Sequence, residues 1–372
     1  MRIAIVGPVP PFRGGISHFT SVLAQRCAKS ADVAVWSFSR LYPKLLYPGS
    51  SDRESSSPPP SLNVTFSLDS LNPWTWISTS QDIIGWCPDV VVVQSWTSFL
   101  SLLTGVLARL VRRRRIPIVA VVHNVLPHQE RVFDRALASW VLAGCTGYLV
   151  LSESEEIRLR RLLPASHAIR CVRHPVYGQF LHQAMDRALA RKTLGFPPSQ
   201  TIALHFGFIR QYKGLEVLIE AMKFLRSPDH RIGLVIAGEF WVDKDIYLER
   251  IEALGLTELV KVYDHYIPPE EVGLYFSASD VFVAPYTGGT QSGSMQIAVA
   301  FGMPIVCTEH LAQGIPDDYH APARIVPPHN AEELAEAIAA LAKPSRGGLS
   351  PLLRWEEGWD NLADAIHDLA DS

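Results

Sequence analysis

Short, largely apolar runs punctuate this chain at intervals that alternate with longer segments of helical spacing. In the first half the runs stand at Ile3 to Val6, Val33 to Trp36, Val90 to Val93, Ile118 to Val122, Tyr148 to Leu151 and Ile169 to Val172. Nearly continuous hydrophobicity over so few residues predicts strands covered on both faces, as in a parallel sheet. Between the first two, Ile16, Phe19, Val22 and Leu23 recur at helical spacing. After the polar break GFPPSQ a second set begins at Ile202 to Phe206 and continues at Ile232 to Ala237, Val260 to Val262 and Val281 to Ala284. Leu215, Leu218, Ile219, Met222 and Leu225 then predict a helix starting near Lys213. Ser152 followed by Glu155 reads as a capping box, and Pro268-Pro269 as a helix opening. Strand and helix alternating throughout predict doubly wound parallel α/β sheets. A length of 372 residues suggests two domains. Ser37 to Ser61, rich in Tyr, Pro and Ser, reads either as a mobile surface loop beside a substrate mouth or as plain disorder.

Composition narrows the function. The chain is 48% hydrophobic and 19% charged, with net charge −3. It lacks the basic excess that would make nucleic acid the main partner. The five cysteines are scattered, without a CxxC or a His/Cys cluster, so neither a zinc site nor a disulfide framework is indicated. Cys87, Cys145, Cys171 and Cys307 lie in or beside apolar runs and read as buried thiols. No uncharged apolar segment has membrane-spanning length and the N-terminal apolar run is too short for a signal peptide, so a cytoplasmic location is expected.

Candidate chemistry gathers where predicted strands end. Gly207, Arg210, Lys213 and Gly214 lie between a strand and a helix start. Such a junction suits a diphosphate: the helix dipole attracts anions, Arg grips two oxygens and Lys adds a point charge. Two solvated loop cations are the plainer alternative. Gly14-Gly15 precedes the first helix, where adjacent glycines let a ligand approach or merely form a turn. The surrounding prolines exclude the dinucleotide fingerprint. His123 follows a strand, where open α/β sheets place ligands, although a structural imidazole fits there too. The loop TGGTQSGS offers Thr290, Gln291, Ser292 and Gly293 at a helix start. Arg112 to Arg115 close an apolar helix, either satisfying its dipole or facing anionic lipid at about 1 kcal/mol per cation.

Taken together these pieces resemble the retaining family-4 glycosyltransferases of the GT-B fold, over essentially the full length. The resemblance rests on Gly14 to Ile16, PDVVVVQ, VVHN, LVLSESEEIRLRR, FGFIRQYKGLEVLIEA, LVIAGE, YIPPEEVGLYFSASDVFVAPY, AFGMPIVCTE and the tail with Trp355 and Trp359. It implies two Rossmann-like domains facing across a cleft: an acceptor-side domain of residues 1–175 with a returning tail helix at 352–372, and a nucleotide-sugar domain of 176–351. Arg210 and Lys213 would hold the donor diphosphate, and Gly207 would lie beside them. Gly14 and Gly15 would approach the donor, and His123 would meet a sugar hydroxyl. Tyr266 and Ile267 would meet the base. No metal or other cofactor is implied, the nucleotide sugar being a co-substrate. The acceptor would be a glycan or polyprenyl-linked sugar, and an anionic membrane surface on the inner face would meet Arg112, Arg113, Arg114 and Arg115.

One departure stands out. Aligned on Gly302 and Pro304, the two glutamates usual in that family fall on Gly289 and Ile297. Thr290 to Gly293 stand there instead, and Glu309 after the next strand is either a candidate replacement for hydroxyl binding or an exposed helix cap. The departure keeps two alternatives open: a scaffold that binds nucleotide without transfer, and a sugar-nucleotide epimerase.

Overall fold

The computed structural model describes residues 1–43, 47–125, 134–164, 167–227, 230–341 and 354–371. They form two compact units, Met1–His174 with Glu357–Ser372, and Pro175–Glu356.

The N-terminal unit runs β1 (Arg2–Val6), α1 (Gly15–Cys27), β2 (Asp32–Arg40), β3 (Asn63–Asp69), α2 (Pro73–Gly85), β4 (Val90–Ser95), α3 (Ser101–Arg112), β5 (Ile118–Val122), α4 (Asp134–Leu142), β6 (Gly147–Val150), α5 (Glu153–Arg160) and β7 (Ala168–Cys171). The strands are parallel, in the order β3-β2-β1-β4-β5-β6-β7. Registers such as Ala4 beside Val91, and Val93 beside Ala120, bury the apolar runs. The order reverses between β1 and β4, the switch point at whose strand ends α/β sheets bind ligands.

The C-terminal unit contains α6 (Arg187–Thr193), β8 (Thr201–Phe206), α7 (Leu215–Met222), β9 (Arg226–Ser227), β10 (His230–Ala237), α8 (Lys244–Ala253), β11 (Val260–Tyr263), α9 (Val272–Ala278), β12 (Val281–Ala284), α10 (Gly293–Ala300), β13 (Ile305–Thr308), β14 (Ala323–Val326) and α11 (Ala331–Leu341). Its parallel order is β11-β10-β8-β12-β13-β14, with β9 antiparallel on β10, so this sheet switches between β8 and β12. The tail helix, α12 (Glu356–Ala370), belongs to the N-terminal unit. There Trp359 is fully buried against Phe19, and a Cβ at Gly147 would come within 3.2 Å of the Leu369 side chain.

Several expectations change. β2 extends to Arg40, and the segment assigned to a loose loop is partly tied down. Phe12 bridges Arg53, Arg13 N donates to the Asp52 carbonyl and Glu54 N to that of Pro11. Residues 44–46 of that loop lie outside the described set. Ser152 does cap α5 through Glu155 N (3.3 Å), but the buried Glu155 carboxylate accepts from Val125 N at 2.7 Å, so it ties α5 to the turn after β5. Cys87 is exposed and Cys171 half-buried; only Cys145 and Cys307 of the four are fully buried thiols. The helix after β4 stops at Arg112.

Candidate functional site

In the C-terminal unit the switch point carries the cations. β8 ends at Phe206, and Gly207 turns with φ +97, a left-handed region that favours glycine. The chain then makes a short 3-10 turn, Gln211–Lys213, before α7. That turn folds the Lys213 side chain back over the strand end. A Cβ on Gly207 would lie 3.0 Å from Lys213 Nζ and 2.9 Å from Ser294 Oγ. The ammonium is buried, with the Tyr286 ring centroid 5.5 Å away. Burial pulls its pKa down to about 8, Tyr212 pushing the other way and Arg210 adding to the fall. Among the described residues neither Lys213 nor Arg210 forms an ion pair with a carboxylate. A buried cation without a counter-ion is costly in a bare protein and is a ready partner for an anion.

The loop after β12 closes the other side. Tyr286 Oη and Ser292 Oγ are 3.0 Å apart, and Ser292 Oγ also accepts from Met295 N to cap α10. Gln291 Nε2 is buried without a hydrogen-bond partner. Gly293 faces Tyr177, whose ring would be 3.1 Å from an added Cβ, and Thr290 lies half-buried beside them. On β8 itself, His205 donates or accepts through Nδ1 at the Val283 carbonyl; because a carbonyl only accepts, Nδ1 carries the proton. Burial, then Lys213, lowers its pKa to about 3, so it is neutral. Past β10, Trp241 lies under the Arg210 guanidinium, and Phe208 packs between Trp241 and Tyr266. Ile267 is buried next to Tyr266. The structure thus gathers Gly207, Arg210, Lys213, Tyr266 and the Thr290–Gly293 loop around the β8–β12 switch. Glu309 is exposed at the end of β13, one residue after Thr308, whose Oγ1 donates to the Tyr286 carbonyl at 2.7 Å. Gly289 takes φ +88 and Ile297 is buried within α10.

In the N-terminal unit, Gly14 takes φ +110 as N-cap of α1, and the side of Gly15 where a Cβ would project is open for 4 Å. His123 follows β5 and is buried. Its Nε2 lies 2.7 Å from Gln94 Oε1, an oxygen that only accepts, so Nε2 is protonated and Nδ1 keeps its lone pair. Burial, with a smaller push from His174, lowers its pKa to about 3. Phe19 of α1 meets the imidazole edge-on at 4.6 Å and His174 at 5.7 Å. Gly7, after β1, leaves room for Gln94, whose Cγ would be 2.6 Å from an added Cβ. Gly14, Gly15 and His123 therefore share one sheet edge, linked through α1 and β4. Arg112 donates to the Ala143 carbonyl beyond α4, while Arg113, Arg114 and Arg115 are exposed.

Sequence reasoning passed over Gln94, Trp241, Tyr286 and Ser294. Gln94 had a visible signal, a polar residue ending an apolar strand run. Trp241 had a weaker one, its place just after a strand.

Two Rossmann-like units, each with ligand-competent groups at its sheet's switch point, are the architecture of the GT-B class. Residues 14–175 match the family model described as Glycosyl transferase 4-like domain, and residues 200–343 match Glycosyl transferases group 1. Each model matches one unit and less than half of the chain, so each unit resembles a domain found in glycosyltransferases. The chain is similar to the GDP-mannose:glycolipid 4-beta-D-mannosyltransferase of Xanthomonas campestris pv. campestris, 27% identical over 191 residues, 51% of this chain and 49% of that protein. The chain spans about half the length of the first curated relatives it matches. Among solved structures, sucrose-phosphate synthase of Thermosynechococcus elongatus aligns over 100% of this chain and 94% of its own, with TM-score 0.68 and 17% identity. Anabaena HepE in complex with UDP and glucose aligns over 100% and 95%, with TM-score 0.69 and 15% identity. At these identities the structures speak to fold alone. Among the described residues no helix is long and apolar enough to cross a membrane.

Proposed function

We propose that the protein transfers a sugar from a nucleotide-sugar donor to a glycan or polyprenyl-linked acceptor, without a metal and with retention of configuration. The observation that carries this reading is the pair Arg210 and Lys213 at the mouth of β8, one of them buried and neither ion-paired with a carboxylate among the described residues. The donor diphosphate would lie across both, and their charge would stabilise the leaving nucleotide as the glycosidic bond breaks. Thr290, Gln291, Ser292 and Gly293 would supply neutral donors to the sugar and phosphate, and Glu309 would accept from a hydroxyl. Backbone groups at Tyr266 and Ile267 would meet the base. In the N-terminal unit, Gly14 and Gly15 would let the donor approach closely, and His123 would accept from a sugar hydroxyl through Nδ1. For front-face transfer the departing phosphate takes the acceptor's proton. Incubation with a panel of sugar nucleotides and NMR of the product's anomeric coupling test the whole reading. An inverted linkage would reject the front-face step and require a base, and no turnover with no nucleotide binding would reject the donor site.

Two outcomes refine it. His123→Ala is expected to lower kcat by about 10-fold to 100-fold with little change in donor affinity, since one neutral hydrogen bond to the reacting sugar is lost. Unchanged kinetics would leave the imidazole a packing role beside Phe19. Arg113, Arg114 and Arg115 form the surface an anionic bilayer would neutralise. Replacing the three with Gln should release the protein from anionic vesicles in a sedimentation assay, and equal sedimentation of both proteins would remove the membrane contact.

A further inference from the structure

The loops that leave β8 and β10 continue to pair after the sheet has ended. Ile209 N donates to the Glu239 carbonyl and Trp241 N donates to the Ile209 carbonyl, both at 2.9 Å. Ile209 also bridges Phe240 in parallel register. This zipper puts the side chains of Phe208 and Arg210, which share a face, against the indole of Trp241. The Phe208 ring lies 4.4 Å from that indole and Arg210 Cζ lies 4.1 Å from its centroid. The indole is itself held: Nε1 donates to Glu239 Oε2 at 3.2 Å, and Glu239 is buried. Tyr266 stacks on Phe208 from beyond, at 5.9 Å and 27°.

We propose that Trp241 is the positioning residue for Arg210, a fixed platform that sets the plane in which the guanidinium meets the donor diphosphate. The chemistry favours this division of labour. Cation–π contact uses the face of the guanidinium and leaves its in-plane N–H donors open, so the platform consumes none of the groups that bind oxygen. An unsupported Arg side chain carries substantial rotamer entropy. A stacked one enters the complex with part of that freedom already removed, and preorganisation of this kind appears as affinity. Glu239 reinforces the arrangement because its oxygen engages the indole N–H, fixing the ring without taking Arg210 into an ion pair.

The proposal rests on the donor reading above, so the test separates the two. Full-length protein labelled with 5-fluorotryptophan gives a Trp241 resonance, assigned by its loss in Trp241→Phe. In the absence of nucleotide, Arg210→Gln is expected to move that resonance. Titration of UDP and GDP by calorimetry should then show Trp241→Leu about tenfold weaker for the better-bound nucleotide, and Trp241→Phe within about threefold of wild type, because Phe keeps an aromatic face. Rescue by Phe is what a merely structural residue would not give. A resonance indifferent to Arg210→Gln overturns the platform, as does Trp241→Leu binding like wild type, or Phe and Leu failing alike. Should the wild-type protein bind neither nucleotide, the donor reading fails, and the fluorine shift alone decides the contact.

Discussion

Lys213→Met should cut transfer by about 10²-fold to 10³-fold while raising the melting temperature of the ligand-free protein. The first effect follows from losing one preorganised charge against the leaving diphosphate, on the order of 3–4 kcal/mol. The second follows from where that charge sits. Lys213 is buried over the end of β8, and among the described residues it has no carboxylate partner. Burial takes its pKa from the usual 10.5 to about 8. Between those values the unfolded chain holds the proton and the native state does not, so stability rises with pH across the window from about 8 to 10.5. Below that window the native protein carries the whole cost of the buried ammonium, roughly 3 kcal/mol at 1.4 per pKa unit. Methionine fills similar space without it. Diphosphate affinity should run oppositely to stability, falling as pH rises above about 8 and the free ammonium loses its proton. Thermal melts and nucleotide titrations across pH 6.5 to 10 check both limbs. A destabilised Lys213→Met, or melts whose pH slope matches the wild type, would remove the buried-charge account.

That conflict between stability and binding also explains what the sequence made legible. The apolar runs revealed both sheets because a parallel strand buried on two faces has no room for alternation. They missed β3, where Phe66 is 41% exposed and polar residues interrupt the run, because an edge strand needs burial on one side only. The cations were visible as strand-end residues, since Arg210 and Lys213 follow an apolar run and precede a helical period. Their lack of counter-charge was not visible, because it depends on which side chains the fold turns toward them. Trp241 is 31 residues beyond Arg210, and only the adjacency of β8 and β10 brings the two together. The capping box at Ser152 shows the reverse failure. The pattern named the right cap, yet tertiary structure claimed Glu155 for Val125 N, where a buried carboxylate finds a stronger use.

Gly214→Ala should destabilise the protein by about 3–5 kcal/mol and weaken nucleotide binding with it, whereas Gly195→Ala should cost about 1–2 kcal/mol and leave binding alone. The two glycines have nearly the same left-handed φ, +70 and +69, so the conformational cost of a Cβ is shared. Their surroundings differ. At Gly195 the new methyl would meet only the end of a flexible side chain, Lys261 Nζ at 3.0 Å, which can move. At Gly214 it would be driven into the carbonyl oxygen of Pro285, backbone at the end of β12 that cannot move alone. Thr287 N and Oγ1 both donate to the Tyr212 carbonyl, at 2.8 and 3.2 Å, locking the loop after β12 onto the turn that carries Lys213. Relieving the collision therefore means prying that loop from the turn, which moves Tyr286 away from the ammonium. Urea unfolding and calorimetric titration of UDP and GDP, run on both variants, read the comparison. Equal losses of stability would show that backbone conformation alone is at stake. Intact binding in Gly214→Ala would show that the turn and the β12 loop act independently.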